Sequence, residues 1–182
     1  METAILSGGC FWCTEAIFKR LKGVSKVIPG YTGGKLENPT YEQVSSGETG
    51  HVEAIQVKFD PSIISFEKIL EVFWALHDPT TLNRQGADTG TQYRSAIFYH
   101  DEIQKKTAEE SKIKAQQKFE NPIVTEISAA KEFYPAEEEH KDFYEKNKNP
   151  LYCQIVIDPK LTKLYKDFQE LTHFTQERIN QR

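Results

Sequence analysis

The chain has 182 residues, enough for one domain with a substantial core. Its net charge of -4 at pH 7 gives no reason to expect nucleic acid or an anionic membrane as a partner. It begins without the basic and apolar stretches of a signal peptide, and no apolar run approaches membrane-spanning length. Three cysteines in such a chain argue against a structural disulfide framework. We therefore expect one cytoplasmic domain over residues 1–182, acting as a monomer.

Apolar periodicity and capping residues predict a series of elements along the chain. In chain order, they are a strand (3–7), a helix (10–21), strands (24–30 and 54–59), a helix (66–74), a strand (95–99), a helix (101–119), a strand (123–127), a helix (135–146), a strand (151–157) and a helix (159–179). Residues 78–94 show no periodicity, and so long a stretch is more often a functional loop than a passive connector. The irregular alternation predicts an α+β fold, an α/β sandwich in which helices pack on one mixed sheet.

The most informative segment is Gly8-Gly9-Cys10-Phe11-Trp12-Cys13, between the first strand and the first helix. A thiol at that junction faces unpaired backbone N–H groups and the positive end of the helix dipole. These features favour the thiolate, so we expect the pKa of Cys10 to fall from about 8.5 to about 7 or lower. The two glycines leave the sulfur unshielded. The pattern predicts that Cys10 is a nucleophile.

Cys10 and Cys13 form a Cys-x-x-Cys pair whose Cα atoms would lie about 5–6 Å apart in a first helical turn, compatible with a disulfide. The pair has three interpretations: a redox couple, half of a zinc site, or two buried thiols. Zinc needs two further ligands, and Cys153 has no cysteine or histidine neighbour at ligand spacing. We therefore expect no metal. The double glycine favours the redox couple over simple burial.

Several other side chains have both a structural and a functional interpretation. Phe11 and Trp12 either pack the helix start into the core or form an apolar cup for a small alkyl or thioether group. Glu53 lies on the apolar face of its strand by alternation, so it is either salt-bridged or kept neutral by burial as a general acid. Tyr41 and Tyr93, taken singly, are rim or core aromatics.

Several sequence blocks, in order and at sensible spacing, resemble the peptide-methionine sulfoxide reductase A family. They are Gly-Cys-Phe-Trp-Cys at 9–13, Pro39-Thr40-Tyr41, Gly50-His51-Val52-Glu53, His77-Asp78-Pro79-Thr80 with the loop to Ser95, Ala136-Glu137 with His140, and Tyr152-Cys153. The resemblance covers nearly the whole chain. It implies a ferredoxin-like core and reduction of the S epimer of methionine sulfoxide, in oxidised proteins and as the free amino acid.

The resemblance also assigns roles to residues. Cys10 would attack the sulfoxide sulfur as a thiolate, while Glu53, starting protonated, would give its proton to the oxygen. The remaining assignments are Tyr41 and Tyr93 as hydrogen-bond donors to that oxygen, Phe11 and Trp12 as the methyl pocket, and Asp88 and His140 as residues that bind substrate or order water. Asp88 by itself would be a turn residue.

Methionine would leave Cys10 as a sulfenic acid, which a second thiol must resolve. Cys13 is favoured as the first resolver because it needs only the loosening of one helical turn. Cys153 matches a tail cysteine of many family members, but a strand-like run (154–157) follows it instead of a mobile glycine-rich tail. It is therefore second in a relay, the sole resolver, or a buried thiol. The resemblance implies that thioredoxin reduces the disulfide, with no bound cofactor.

Two other functions remain as alternatives. A thioredoxin-like disulfide oxidoreductase also places a Cys-x-x-Cys pair between a strand and a helix, here Cys10 and Cys13. It normally carries a Gly-Pro-like pair between the cysteines, and it leaves Phe11, Trp12 and the loop 78–94 unexplained. A non-enzymatic module that binds methionine or alkyl groups through aromatic side chains is the second alternative. Insulin reduction would identify the first, and retained ligand affinity in Cys10→Ala with no turnover would identify the second.

Overall fold

The computed structural model describes residues 1–147 and 151–173. The strands are β1 (Glu2–Ser7), β2 (Val24–Thr32), β3 (Val52–Phe59), β4 (Arg84–Gln85), β5 (Asp88–Thr89), β6 (Ala96–Tyr99), β7 (Glu126–Ala129) and β8 (Tyr134–Pro135). The α-helices are α1 (Phe11–Phe18), α2 (Tyr41–Ser45), α3 (Phe66–Leu76), α4 (Glu102–Gln116), α5 (Phe143–Lys146) and α6 (Asp158–Asp167). None of these helices combines the length and apolar character that crossing a membrane requires.

Six strands form one mixed sheet in the order β7-β6-β1-β3-β2-β8, and β4 pairs with β5 in a separate hairpin. β6 and β7 are parallel, while the other neighbours in the large sheet are antiparallel. Helices α1, α3, α4 and α6 contribute to the large core cluster on the sheet. The α+β prediction of a mixed sheet with packed helices is confirmed.

Helix α3 illustrates how the sequence pattern becomes packing. Its apolar residues recur at the i, i+3, i+4, i+7 spacing of one helical face, and Phe66, Ile69, Leu70 and Phe73 are all buried. The hydroxyl of Ser65 accepts a hydrogen bond from the backbone N–H of Lys68 and caps the helix as predicted. The apolar face of α3 therefore packs into the core, with α4 and α6 as its helical neighbours.

The strand predicted at 151–157 is wrong, because this segment is helical. A π-helical stretch (Cys153–Ile157) leads directly into α6. Cys153 and Ile157 are buried four residues apart, whereas Ile155 between them is 62% exposed. The run of β-branched residues favours a strand locally, but the burial pattern has a helical period, and packing against α1 decides the outcome.

The helix predicted at 135–146 is also largely wrong. Tyr134–Pro135 is an edge strand that pairs with β2, where the missing N–H of proline is tolerated. Only Phe143–Lys146 of the predicted range is α-helical. The strand predicted at 123–127 begins later and spans Glu126–Ala129. The last predicted helix ends at Asp167, and its residues 174–179 lie outside the described residues.

Candidate active site

The turn between β1 and α1 brings the Cys10 thiol to the end of the central strands. Gly9 has a φ of +92°, a conformation that L side chains rarely adopt. A Cβ at this position would lie 2.5 Å from Cγ of Gln85, so the loop after α3 closes tightly over the turn. Cys10 is then the N-cap residue of α1, and its backbone C=O accepts from the N–H of Cys13. The glycine thus fixes how the nucleophile candidate is presented.

The Glu53 carboxyl lies at the same helix terminus. Glu53 is 2% exposed on β3, and its Oε2 accepts a hydrogen bond from the backbone N–H of Phe11 at 3.0 Å. Burial is the main cause that raises the pKa of Glu53 to about 8; the N–H of Phe11 opposes the rise, and the charges of Asp88 and Cys13 add to it. No lysine or arginine of the described residues forms an ion pair with Glu53. Of its two interpretations, the geometry favours the neutral acid.

The thiols of Cys10 and Cys13 are both reduced and buried. Burial raises the pKa of Cys10, as do the hydrogen bond and charge of Cys13 and the charge of Glu53. A hydrogen bond from Cys10 is the main cause that lowers the pKa of Cys13 to about 7, and the charge of Lys160 also lowers it. The expected low pKa of Cys10 is therefore wrong for the unliganded site, because desolvation outweighs the helix terminus. The first negative charge of the pair rests on Cys13.

A cavity of about 300 Å³ opens beside the two thiols. Its wall is formed by Cys10, Cys13, Gln85, Gly86, Ala87, Asp88, Tyr152, Ile155, Val156, Pro159 and Lys160. The hydroxyl of Tyr152 donates to Oδ2 of Asp88 at 3.2 Å and lies 3.5 Å from Sγ of Cys13. The loop predicted to be functional therefore contributes Asp88 to the same cavity as the thiols. Among the described residues, no group of three or more His, Cys, Asp or Glu side chains is arranged to hold a metal ion.

The aromatic residues form a stacked group beside the thiols, outside the wall of this cavity. Phe143 stacks on Trp12 with ring centroids 3.8 Å apart, and the ring of His140 lies tilted against that of Tyr41 with centroids 4.2 Å apart. Phe11 is fully buried and lies within 6.3 Å of Trp12, Tyr41 and His140 between ring centroids. Trp12 stays half-buried. The structure therefore brings four of the predicted site residues together as one aromatic surface: Phe11, Trp12, Tyr41 and His140.

Tyr41 and Tyr93 both lie close enough to Glu53 for its charge to affect them. Burial raises the pKa of each phenol, and the charge of Glu53 is the next cause in both cases. Both hydroxyls therefore keep their proton at neutral pH and can donate hydrogen bonds. Glu137 secures the backbone of this region: it accepts from the N–H of Tyr41 at 2.8 Å and from the hydroxyl of Tyr31 at 2.7 Å.

Cys153 lies apart from the cavity wall. It is fully buried in the core cluster, and burial is the main cause that raises its pKa. Its neighbour Tyr152 lines the cavity instead. The structure therefore brings Cys10 and Cys13 together and leaves Cys153 on the buried side of the helical segment that carries Tyr152.

Sequence reasoning missed several residues of the site. Tyr152 is part of the block Tyr152-Cys153, so a signal for it existed. Tyr152 and Lys160 line the same cavity because the segment between them is helical. The strand predicted at 151–157 hides this alignment, so the sequence gives no signal for Lys160. No sequence pattern assigns Phe143 the stacking contact with Trp12 that the structure shows. Glu137 belongs to the block Ala136-Glu137, but its hydrogen bonds to Tyr31 and Tyr41 form only between segments that the fold brings together.

Comparison with known proteins agrees with this geometry. A profile of the peptide methionine sulfoxide reductase family matches residues 2–172. The chain is 56% identical over 170 residues to peptide methionine sulfoxide reductase MsrA of Sulfolobus acidocaldarius, covering 93% of this chain and 97% of that protein. The crystal structure of reduced Mxr1 from Saccharomyces cerevisiae is similar, with a TM-score of 0.78, 34% identity and coverage of 84% of this chain and 88% of that one. Mxr1 in complex with Trx2 matches with a TM-score of 0.55, 25% identity and coverage of 78% and 84%.

The profile spans almost all of the described residues, and the Sulfolobus acidocaldarius relative is 56% identical over nearly its whole length. The Cys10 turn and the buried Glu53 both fall inside the matched range. The chain therefore belongs to the peptide methionine sulfoxide reductase family.

Proposed function

We propose that this chain reduces the S epimer of methionine sulfoxide to methionine, with Cys10 as nucleophile and Glu53 as proton donor. The observation that carries the proposal is the position of Glu53, an uncharged carboxyl whose Oε2 accepts from the N–H of Phe11, the residue after Cys10. A sulfoxide oxygen leaves readily only when it is protonated, so the reaction needs an acid beside the nucleophile. Such an activity repairs oxidised proteins under oxidative stress.

In the reductive step, a lone pair of the Cys10 sulfur attacks the sulfoxide sulfur while the sulfoxide oxygen accepts the proton of Glu53. The proton of Cys10 first passes to Cys13, which holds the negative charge of the pair in the free site. Tyr41 and Tyr93 donate hydrogen bonds to the developing oxyanion. The bond between the two sulfurs then breaks while the protonated oxygen moves from the substrate sulfur to the Cys10 sulfur, which leaves methionine, a sulfenic acid on Cys10 and an ionised Glu53.

The aromatic group provides a binding surface for the methyl group of the substrate. The half-buried ring of Trp12, held by Phe143, and the buried ring of Phe11 offer an apolar surface next to the sulfur. With the oxygen near the tyrosines and the methyl on this surface, only one arrangement about a chiral sulfur fits. Asp88 and His140 complete the proposal as residues that bind substrate or order water.

Resolution follows within the Cys-x-x-Cys pair. The sulfur of Cys13 attacks the sulfenic sulfur of Cys10, an S–S bond forms, and the hydroxide that leaves takes up the proton that Cys13 loses, giving water. Thioredoxin then reduces the disulfide, and the complex of yeast Mxr1 with Trx2 supports this partner. No bound cofactor is needed in this scheme. Cys153 acts after Cys13, if at all, since it lies outside the cavity wall.

The test compares two thiol variants on a peptide carrying the S epimer. We expect Cys10→Ser to abolish methionine release. We expect Cys13→Ser to release up to one equivalent of methionine per enzyme and then to stop with thioredoxin as reductant. Mass spectrometry after stoichiometric sulfoxide would detect a Cys10–Cys13 disulfide in the wild type. Full turnover in Cys10→Ser would refute the assignment of the nucleophile, and unimpaired cycling in Cys13→Ser would make Cys153 the resolver.

The rest of the proposal concerns the whole chain. We take residues 1–182 as one reductase domain in the cytoplasm, where thiols stay reduced, and the three free cysteines are consistent with that. A monomeric state stays a prediction. Weak reduction of insulin would separate this function from the thioredoxin-like alternative, which uses the same Cys10 and Cys13 but needs no buried acid.

A further inference from the structure

A second, larger cavity adjoins the catalytic one. It has a volume of about 840 Å³, within the range of about 300–1,000 Å³ that ligand-binding cavities occupy. It lies between the C-terminal end of α3, the segment after α4 and helix α6. Gln85, Pro159 and Lys160 line both cavities, so the two share one wall. We call this second cavity the flanking groove.

The flanking groove carries more positive than negative side chains. Lys118, Lys160 and Lys163 line it, against Asp78 and Asp167. Within the described residues, none of these three ammonium groups forms an ion pair with a carboxylate. Elsewhere on this net negative chain, several lysines are paired with carboxylates. The lining of the groove therefore holds one more lysine than carboxylate, and none of its three lysines is held in an ion pair.

The charged rim surrounds aromatic surface. Trp74 is 4% exposed, while Phe119 and Phe168 are half-buried, and all three line the groove. Lys163 also donates to the backbone C=O of Ala75 at 2.7 Å, which ties α6 to α3 and holds the groove open between them. An extended peptide has the matching chemistry when apolar or neutral residues alternate with carboxylates.

We propose that the flanking groove binds the polypeptide segment next to the methionine sulfoxide and favours acidic residues there. The inference rests on the proposed function, because it places the sulfoxide at Cys10, which lines the neighbouring catalytic cavity. Cys10 lines the catalytic cavity, and the groove begins on the other side of the wall formed by Gln85, Pro159 and Lys160, so a peptide bound at Cys10 has the groove beside it. Free methionine sulfoxide has no neighbouring residues, so it has no acidic side chain to place in the groove.

The experiment uses the full chain and four S-epimer substrates. Three are peptides in which two glutamates precede the sulfoxide, two glutamates follow it, or lysines stand on both sides; the fourth is N-acetyl-methionine sulfoxide amide. At low salt, we expect the better glutamate peptide to exceed the lysine peptide in kcat/KM by about tenfold. The preference should fall steadily as salt rises, a test that needs no variant.

The variant Lys118→Glu reverses one charge at an exposed position of the groove. We expect it to reduce the preference for glutamate about three- to tenfold and to leave the small amide substrate unchanged. Lys26→Glu, a charge-matched change at an exposed lysine that lines neither cavity, should do nothing. Lys118→Gln should fall between the wild type and the reversal.

Three results would overturn the inference. One is equal kcat/KM for the glutamate and lysine peptides in the wild type. Another is an equal effect of the Lys118→Glu and Lys26→Glu changes. The third is a Lys118→Glu effect confined to the dependence on thioredoxin concentration, which would make the groove a thioredoxin surface. Failure of the small amide to react at all would instead refute the proposed function, so the two failures are distinguishable.

Discussion

The variant Glu53→Gln tests whether the buried carboxyl works as an uncharged acid. Its pKa is raised from 4.5 to about 8, mainly by burial. At pH 7 roughly nine-tenths of the enzyme then carries the proton, and above pH 8 the protonated fraction falls about tenfold for each pH unit. We expect the rate of the wild-type reductive step to fall in the same way above pH 8, and we call this fall the alkaline limb of the pH profile. Glutamine cannot give a proton, so Glu53→Gln should lose about 10²–10⁴-fold in rate and lose the alkaline limb with it.

The same shift makes a prediction about stability. Below pH 4.5 the group is protonated in both the folded and the unfolded chain and costs nothing. Between pH 4.5 and about 8 the unfolded chain ionises while the folded one keeps its proton, so the free energy of unfolding falls with rising pH. At about 1.4 kcal/mol per pH unit, the whole interval corresponds to about 5 kcal/mol. Glu53→Gln escapes this loss, so its stability relative to the wild type should rise through this window.

Two measurements check these expectations. Methionine release in a single turnover, followed from pH 5 to 10, gives the rate profile. Urea unfolding at several pH values gives the stability profile. Glu42→Gln, an exposed carboxyl in the first turn of α2, serves as the matched control and should leave both profiles unchanged. A Glu53→Gln enzyme with the wild-type rate and the wild-type alkaline limb would refute the reasoning, as would a stability difference that does not vary with pH.

Two further predictions follow from the geometry of the site. Lys160→Met should raise the pKa of Cys13, because Lys160 helps to stabilise the Cys13 thiolate. Disulfide formation should then be slower at pH 7 and recover at higher pH. Stopped-flow absorbance of the thiolate measures this, and an unchanged pH profile would contradict it. Gly9→Ala should destabilise the fold by about 1–2 kcal/mol or more, since it combines a φ of +92° with a contact against Gln85. Denaturant unfolding of Gly9→Ala beside Gly8→Ala, whose added Cβ meets nothing closer than 3.3 Å, decides this. Equal losses in the two variants would contradict the strain argument.

Local patterns predicted the elements that surround Cys10. The strand, double glycine and helix around Cys10 appear in the structure as β1, a left-handed Gly9 and α1. Alternation along β3 correctly assigned Glu53 to the buried face. In these cases the signal depends on neighbours in the sequence, so the sequence carries it directly.

The errors arose where distant packing overrides local preference. Residues 151–157 have the composition of a strand and become helical because one side of the segment packs against α1. Pro135 has the look of a helix start and becomes part of an edge strand because β2 offers it a free partner. The helix terminus alone favours a low pKa for Cys10, but burial in the folded site raises this pKa instead.

The sequence by itself determined the chemistry available to this protein: a thiol at a strand–helix junction, a second thiol one helical turn away and a carboxyl on the apolar face of a strand. Only the tertiary structure decided which charges those groups carry and what stands beside them. Burial keeps Glu53 neutral and raises the pKa of Cys10, while a hydrogen bond from Cys10 lowers the pKa of Cys13. The helix that replaces a predicted strand brings Tyr152 and Lys160 to the cavity. Desolvation depends on every element that excludes water from a group, and those elements come from distant parts of the chain.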